Sequence, residues 1–108
     1  VLLNVNVDDV GYREGASAYS FYECSPELEA QADSVFARFD GLVRGEPWYM
    51  GDHMVFVQQG VAAIALTAER MPELMRTVTH TAADTPDLVD AAKLVEVAEA
   101  IAALVRAL

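Results

Sequence analysis

Cysteine is almost absent: Cys24 is the only one in 108 residues, which excludes an internal disulfide and a zinc cluster built from cysteines of one chain. Basic residues are scarce as well. Seventeen acidic residues stand against seven basic ones, a formal charge of -10, and such a chain repels nucleic-acid phosphates and anionic lipid headgroups. Nucleic acid is therefore not an expected partner. No apolar run approaches the roughly 20 residues needed to cross a bilayer, so no membrane span is expected, and the first residues lack the basic segment, apolar stretch and cleavage site of an export signal. There is no Gly-rich phosphate loop. None of Ser17, Ser20, Ser25 and Ser34 sits in a Gly-x-Ser-x-Gly turn, which disfavours a serine hydrolase. Internal repeats and low-complexity stretches are missing too.

What is present suits one core: 54% of the residues are hydrophobic, enough for a single domain of this length. Leu3, Val5 and Val7 alternate with Asn4, Asn6 and Asp8, the period of a strand with two unlike faces, ending near Gly11. A second β-like run covers residues 17–24. Ser25 is then placed to cap a helix with Pro26 in its first turn. Leu28, Ala32, Val35, Phe36 and Phe39 recur at helical spacing, and Gly41 is placed to end that helix in a left-handed conformation. Residues 41–51 read as a loop with a short extended piece, its Trp48 and Tyr49 filling a gap in the core. Asp52 is expected to cap a short helix that Gly60 halts. Residues 61–66 form a continuous apolar run, matching a central strand buried on both faces. Residues 67–85 read as connection with a helical turn around 72–76. Last comes a long helix capped by Asp90, with Leu94, Val97, Ala98, Ile101, Leu104, Val105 and Leu108 in one broad apolar stripe and Arg106 in the last turn, where it complements the dipole. Strands interleaved with helices predict an α/β fold, a mixed sheet flanked by helices.

Few residues are candidates for chemistry. Asp8 closes the first strand on its polar face, where a carboxylate suits a divalent metal but also suits a turn. Asp9 is expected to point to the opposite face. His80 lies in a polar Thr-rich loop, as a surface residue or as a ligand whose ring Thr81, Asp84 and Thr85 orient. His53, beside Asp52, is the only other imidazole. With no third His and no Glu pair near these positions, the chain does not complete a four-ligand zinc site. Cys24, in an aromatic strand, reads as a buried inert thiol rather than a nucleophile.

Three segments together carry a resemblance: Asn6-Val7-Asp8-Asp9-Val10-Gly11, then Gly51-Asp52-His53-Met54-Val55-Phe56 with Gly60-Val61-Ala62-Ala63 behind it, then His80-Thr81-Ala82-Ala83-Asp84-Thr85. In this order and spacing they resemble the C-terminal half of the M28 family of zinc metallopeptidases, which includes leucyl-type aminopeptidases. The resemblance covers nearly the whole chain. It implies a partial zinc-exopeptidase fold, with residues 1–108 as the C-terminal portion of one peptidase domain. It also implies a site of two Zn2+, with Asp8 a ligand of one and His80 a ligand of the other. Asp52, His53 and Asp84 would line the pocket or hold the ligands from behind. Gly51 stands where the family has Ser, Ala62 where it has Pro, and Thr79 where a Tyr often precedes the ligand His.

The implied reaction is two-zinc hydrolysis of N-terminal peptide bonds, the substrate being a peptide with a free N-terminus. By the resemblance the remaining ligands and the Glu general base belong to the N-terminal half, so no catalytic residue is expected in this chain, and by itself it should be inactive and hold little or no metal tightly. Opening on Val1 inside an expected strand, without an initiator Met, it is expected to follow a preceding portion. An edge and apolar surface left open by that missing half would favour self-association. Two other readings stand beside this one: a non-catalytic interaction domain on the same scaffold, and aminoacyl cyclase or carboxypeptidase chemistry.

Overall fold

Branched and aromatic residues build the strands of this chain, and Ser, Pro and Gly punctuate them. A computed structural model describes residues 2–108. Its elements are β1 (Asn4–Val7), β2 (Ser17–Tyr22), α1 (Pro26–Phe36), β3 (Leu42–Arg44), α2 (His53–Val57), β4 (Ala63–Ala68), α3 (Met71–Thr77) and, after a single 3-10 turn at Pro86–Leu88, α4 (Ala91–Ala107). The strands lie in the order β1-β4-β2-β3. β1 runs parallel to β4, β2 antiparallel to β4, and β3 parallel to β2. This is the mixed sheet of an α/β fold.

Strand alternation gives the sheet two different faces. On one, Tyr19, Phe21, Ile64 and Leu66 meet Val35 and Phe36 of α1 and Val97, Ala100 and Leu104 of α4. Burying a ring such as Phe36 completely stabilises the fold by about 1.5–3 kcal/mol. On the other face Tyr22, Ala63 and Ala65 pack against Trp48 and against Met54 and Val57. That second face is covered only by the short α2 and the loop before it, and the openings described below lie there.

Local chemistry explains the element ends. Ser25 caps α1 by accepting from the Leu28 N–H at 3.2 Å, and Asp90 caps α4 by accepting from the Ala92 N–H at 3.0 Å. Gly60, at φ +76, carries the chain out of α2 and into β4. Asp52, by contrast, makes no capping bond: its own backbone is already helical, at φ -63 and ψ -24, a conformation that withholds the side chain from the first turn. β2 stops at Tyr22, before the expected end, because Glu23 takes a left-handed φ of 54. Cys24 follows, half-buried, its thiol directed at the Tyr22 and Ala63 carbonyls and pushed up in pKa by burial, in keeping with an unreactive thiol.

Four further expectations need correction. α1 ends at Phe36 rather than Phe39, because the Arg38 and Phe39 N–H groups tighten onto the carbonyls of Val35 and Phe36. Gly41 does not end it in a left-handed conformation. It serves instead to let the Glu96 carboxylate approach, accepting from the Gly41 N–H at 3.2 Å; a Cβ there would stand 1.9 Å from Glu96 Oε1. β4 runs on through Thr67 and Ala68, which pair with Ala18 and Ser17 of β2. Finally, the buried stripe of α4 is narrower than the sequence suggests, since Leu94 is 40% and Val105 60% exposed. α4 rests on α1 and the sheet by one side only, and Leu94 turns to cover Gly11.

Candidate metal centre

Asp8 directly follows β1, its N–H still bonded to the Leu66 carbonyl at 3.0 Å, so the ladder with β4 fixes where its carboxylate emerges. Alternation ends there. Asp9 adopts a left-handed φ of 55, which carries its side chain round to the same opening as Asp8 and overturns the expectation that the two diverge. His80 arrives from the far end of the chain. α3 closes with the Val78 and Thr79 N–H groups on the Leu74 carbonyl, and His80 then turns out at φ 60. Thr81 orders the loop behind it, accepting from the Ala83 N–H at 3.2 Å and donating to the Val78 carbonyl.

These segments meet in one cleft of about 550 Å3. Asp8, Asp9, Asp84 and His80 supply its polar wall, and Trp48, Met50, Met71 and Met75 most of the apolar one. Three of the four methionines of the chain are therefore here, giving a soft, adaptable lining. No described ion pair involves Asp8, Asp9 or Asp84. Burial, then repulsion from Asp8 and Asp84, raises the Asp9 carboxyl above its ordinary pKa, and His80 opposes the shift.

The sign of that shift makes a prediction. A carboxyl that holds its proton to higher pH when folded is ionised at a cost to the fold, absent below the unfolded value of about 3.9 and fully present by pH 7. Asn tolerates a left-handed backbone as well as Asp does. Asp9→Asn should thus be more stable than the parent at pH 7, with the gain shrinking as pH falls through the folded value. Urea unfolding at pH 7 and pH 3.5 checks this, and a gain that is equal at both would speak against it.

Behind the apolar wall lies a buried polar network. His53 is fully buried; its Nδ1 accepts from Asn6 Nδ2 at 3.4 Å and its Nε2 donates to the Trp48 carbonyl at 2.9 Å, a pattern that assigns the neutral ring. Tyr22 Oη donates to the same carbonyl at 2.8 Å, accepts from the Trp48 N–H at 2.7 Å and lies 2.9 Å from Ser20 Oγ. The His53 ring also packs 4.5 Å, centroid to centroid, from both Tyr22 and Trp48. His53 supports the cleft from below, therefore, and does not line it. Asp52 is exposed and contributes nothing to the lining, whereas Asp84 does.

As a metal site the donor set is partial. A carboxylate and an imidazole border one cleft, the donor types zinc takes, but among the described residues no three His, Cys, Asp or Glu side chains converge as a metal-holding group. No Glu borders the cleft. Sequence reasoning missed Asp9, because it extended strand alternation past the strand, and missed the methionine wall, which comes from segments with no shared period. Compared with known proteins, the chain matches the model of peptidase family M28 over residues 1–105. No curated protein and no solved structure matches it.

Proposed function

The chain belongs to peptidase family M28, and from that premise we propose that it supplies part of the site of a zinc-dependent aminopeptidase, Asp8 as a ligand of one zinc and His80 as a ligand of a second. The observation that carries this reading is their shared cleft: residues at opposite ends of the chain, each just past the end of a regular element, border one opening. Asp8 stands at the carboxyl end of a strand, where proteins of layered α/β architecture place their reacting groups.

Zinc bound there would supply Lewis acidity and make water a stronger nucleophile at neutral pH. The chain's own residues do the rest of what can be derived. Asp9 and Asp84, carrying charge that no described cation neutralises, attract the protonated amine at the N-terminus of a peptide. Trp48 and the methionines exclude water from one side of the cleft, which strengthens those attractions. The proton-accepting carboxylate and the other ligands are assigned to a remaining part of the domain, since no Glu borders the cleft and the donor set is short of three. The substrate class is then a peptide with a free N-terminus.

The reading has a direct check. Titration of zinc into the chain alone, followed by calorimetry, should give binding no tighter than micromolar, and peptide anilides should not turn over. Submicromolar binding accompanied by turnover would show that the chain is a complete enzyme and overturn the division of the site.

A further inference from the structure

The sheet face that carries the cleft carries a second cavity of about 380 Å3, and the two share Trp48 and Met71 as a common wall. Its floor follows from alternation along β4. Ile64 and Leu66 point into the core beneath α1 and α4, so Ala63, Ala65 and Thr67 point the other way: the two alanines pack under Trp48, Met54 and Val57, and Thr67 borders this cavity. Thr67 is only 4% exposed, and its hydroxyl has no hydrogen-bond partner among the described residues. A buried hydroxyl left without a partner is rare in a folded protein, and it marks a position where an entering polar group gains a bond.

The charge around the opening says which polar group. Glu46 and Glu69 border the cavity, and neither belongs to a described ion pair. Glu69 is fixed by the Ala16 N–H, which donates to its Oε1 at 3.1 Å. Arg44 also borders the cavity, yet its guanidinium lies on the opposite face of the sheet, 3.2 Å from Asp33 of α1 and 4.7 Å from the centre of the Phe21 ring. Arg70, which lies beside Glu69 over Gly15, pairs instead with Glu14 and Glu73, so neither carboxylate of the cavity is held in a described ion pair. Trp48 and Met71 offer apolar surface beside them.

The geometry points to a subsite for a long basic side chain, arginine or lysine, on the residue whose amine lies in the cleft. This rests on the cleft being the reaction site. The alkyl stem packs along Met71 and Trp48, and the cationic head meets Glu46, Glu69 and the Thr67 hydroxyl on the far side of the indole, away from the zinc ligands. An acidic side chain is repelled there, and a purely apolar one leaves Thr67 without a partner.

Trp48 is the only tryptophan and stands between the two cavities, so its fluorescence reports what enters them. Argininamide and norleucinamide share a free amine and an amide and differ in the head of the side chain. Titrated into the chain at low ionic strength, argininamide should bind about tenfold more tightly, the effect of one or two partly screened charge contacts. The paired substitution Glu46→Gln and Glu69→Gln, which keeps the acceptor for Ala16, should bring the two within about threefold of each other, and Thr67→Val should weaken argininamide alone. Circular dichroism verifies that the variants fold, and either Glu→Gln change alone reads half of the effect. Equal affinities in the parent chain, tighter norleucinamide, or no saturable change with argininamide overturns the proposal. The titration needs neither zinc nor turnover, so its failure is distinct from failure of the Asp8 and His80 assignment.

Discussion

Substituting Asn for Asp8, or Ala for His80, should lower kcat/KM of the proposed aminopeptidase by about three orders of magnitude. The estimate follows from the several kcal/mol that a correctly held metal contributes at a reacting centre, with about 1.4 kcal/mol for each factor of ten. Zinc content provides a readout separate from rate. If each residue holds a different ion, either variant should lose about one zinc per molecule, and the doubly substituted protein should lose both. Asp52→Asn, at an exposed position outside the cleft, should leave metal content and rate within a few-fold of the parent. Unchanged zinc content in both Asp8→Asn and His80→Ala would remove the basis for assigning these residues to metal.

The second large effect belongs to His53, a buried group that the resemblance puts in the pocket lining or behind the ligands. His53→Ala should destabilise the chain by about 3 kcal/mol or more, because it empties a fully buried ring site and strips partners from Asn6 and the Trp48 carbonyl. The same change frees the Trp48 loop on one side, so indole emission should move to longer wavelength in the folded state. His53→Phe restores volume but not the hydrogen bonds, and should recover part of the stability without restoring the emission. Gly51 belongs to the same construction. A Cβ at this position would stand 2.5 Å from Trp48 Cζ3 and 2.6 Å from His53 Cε1, so Gly51→Ser, which recreates the Ser-Asp-His pattern of the family, should cost about 1–3 kcal/mol. That cost should fall when Trp48 is first reduced to Ala, since the two positions compete for one volume. A His53→Ala variant within 1 kcal/mol of the parent would show that the network does not hold the wall.

Elements announced by local chemistry were legible from residues alone: the alternation before Asp8, the Ser25-Pro26 start of α1, the Gly60 exit into β4 and the Asp90 cap of α4 all act within a few residues of where they are read. The central place of β4 was announced by its unbroken apolar run, but its neighbours were not, because nothing local says that β1 and β2 rather than β3 flank it. Asp9 was misplaced for a related reason. Its left-handed backbone breaks the period of two on which the inference depended, just where strand geometry gives way to the loop. The meeting of positions 8 and 80 could be anticipated only from the family resemblance, as no spacing rule joins residues so far apart. The role of Trp48 was hidden because a residue that packs on the core from one side and borders two cavities on the other has no distinct signature in one dimension.

Lys93 is the only lysine of the chain, and its ammonium donates to the carbonyls of Tyr12 at 3.1 Å and Arg13 at 2.8 Å, and also to that of Gly15. The segment that follows Asp8 and Asp9, already bonded through its backbone to Leu88 and Asp90 just before α4, is thus fastened to the helix itself by one side-chain amine. Acylating reagents consume that amine and cannot leave the tether intact, so biotin esters or amine-coupled surfaces would loosen the neighbourhood of the cleft while seeming to modify an innocent exterior site. Immobilisation through Cys24 is no substitute, given its shielded thiol, and a tag appended beyond Leu108 is the attachment that leaves this fastening closed.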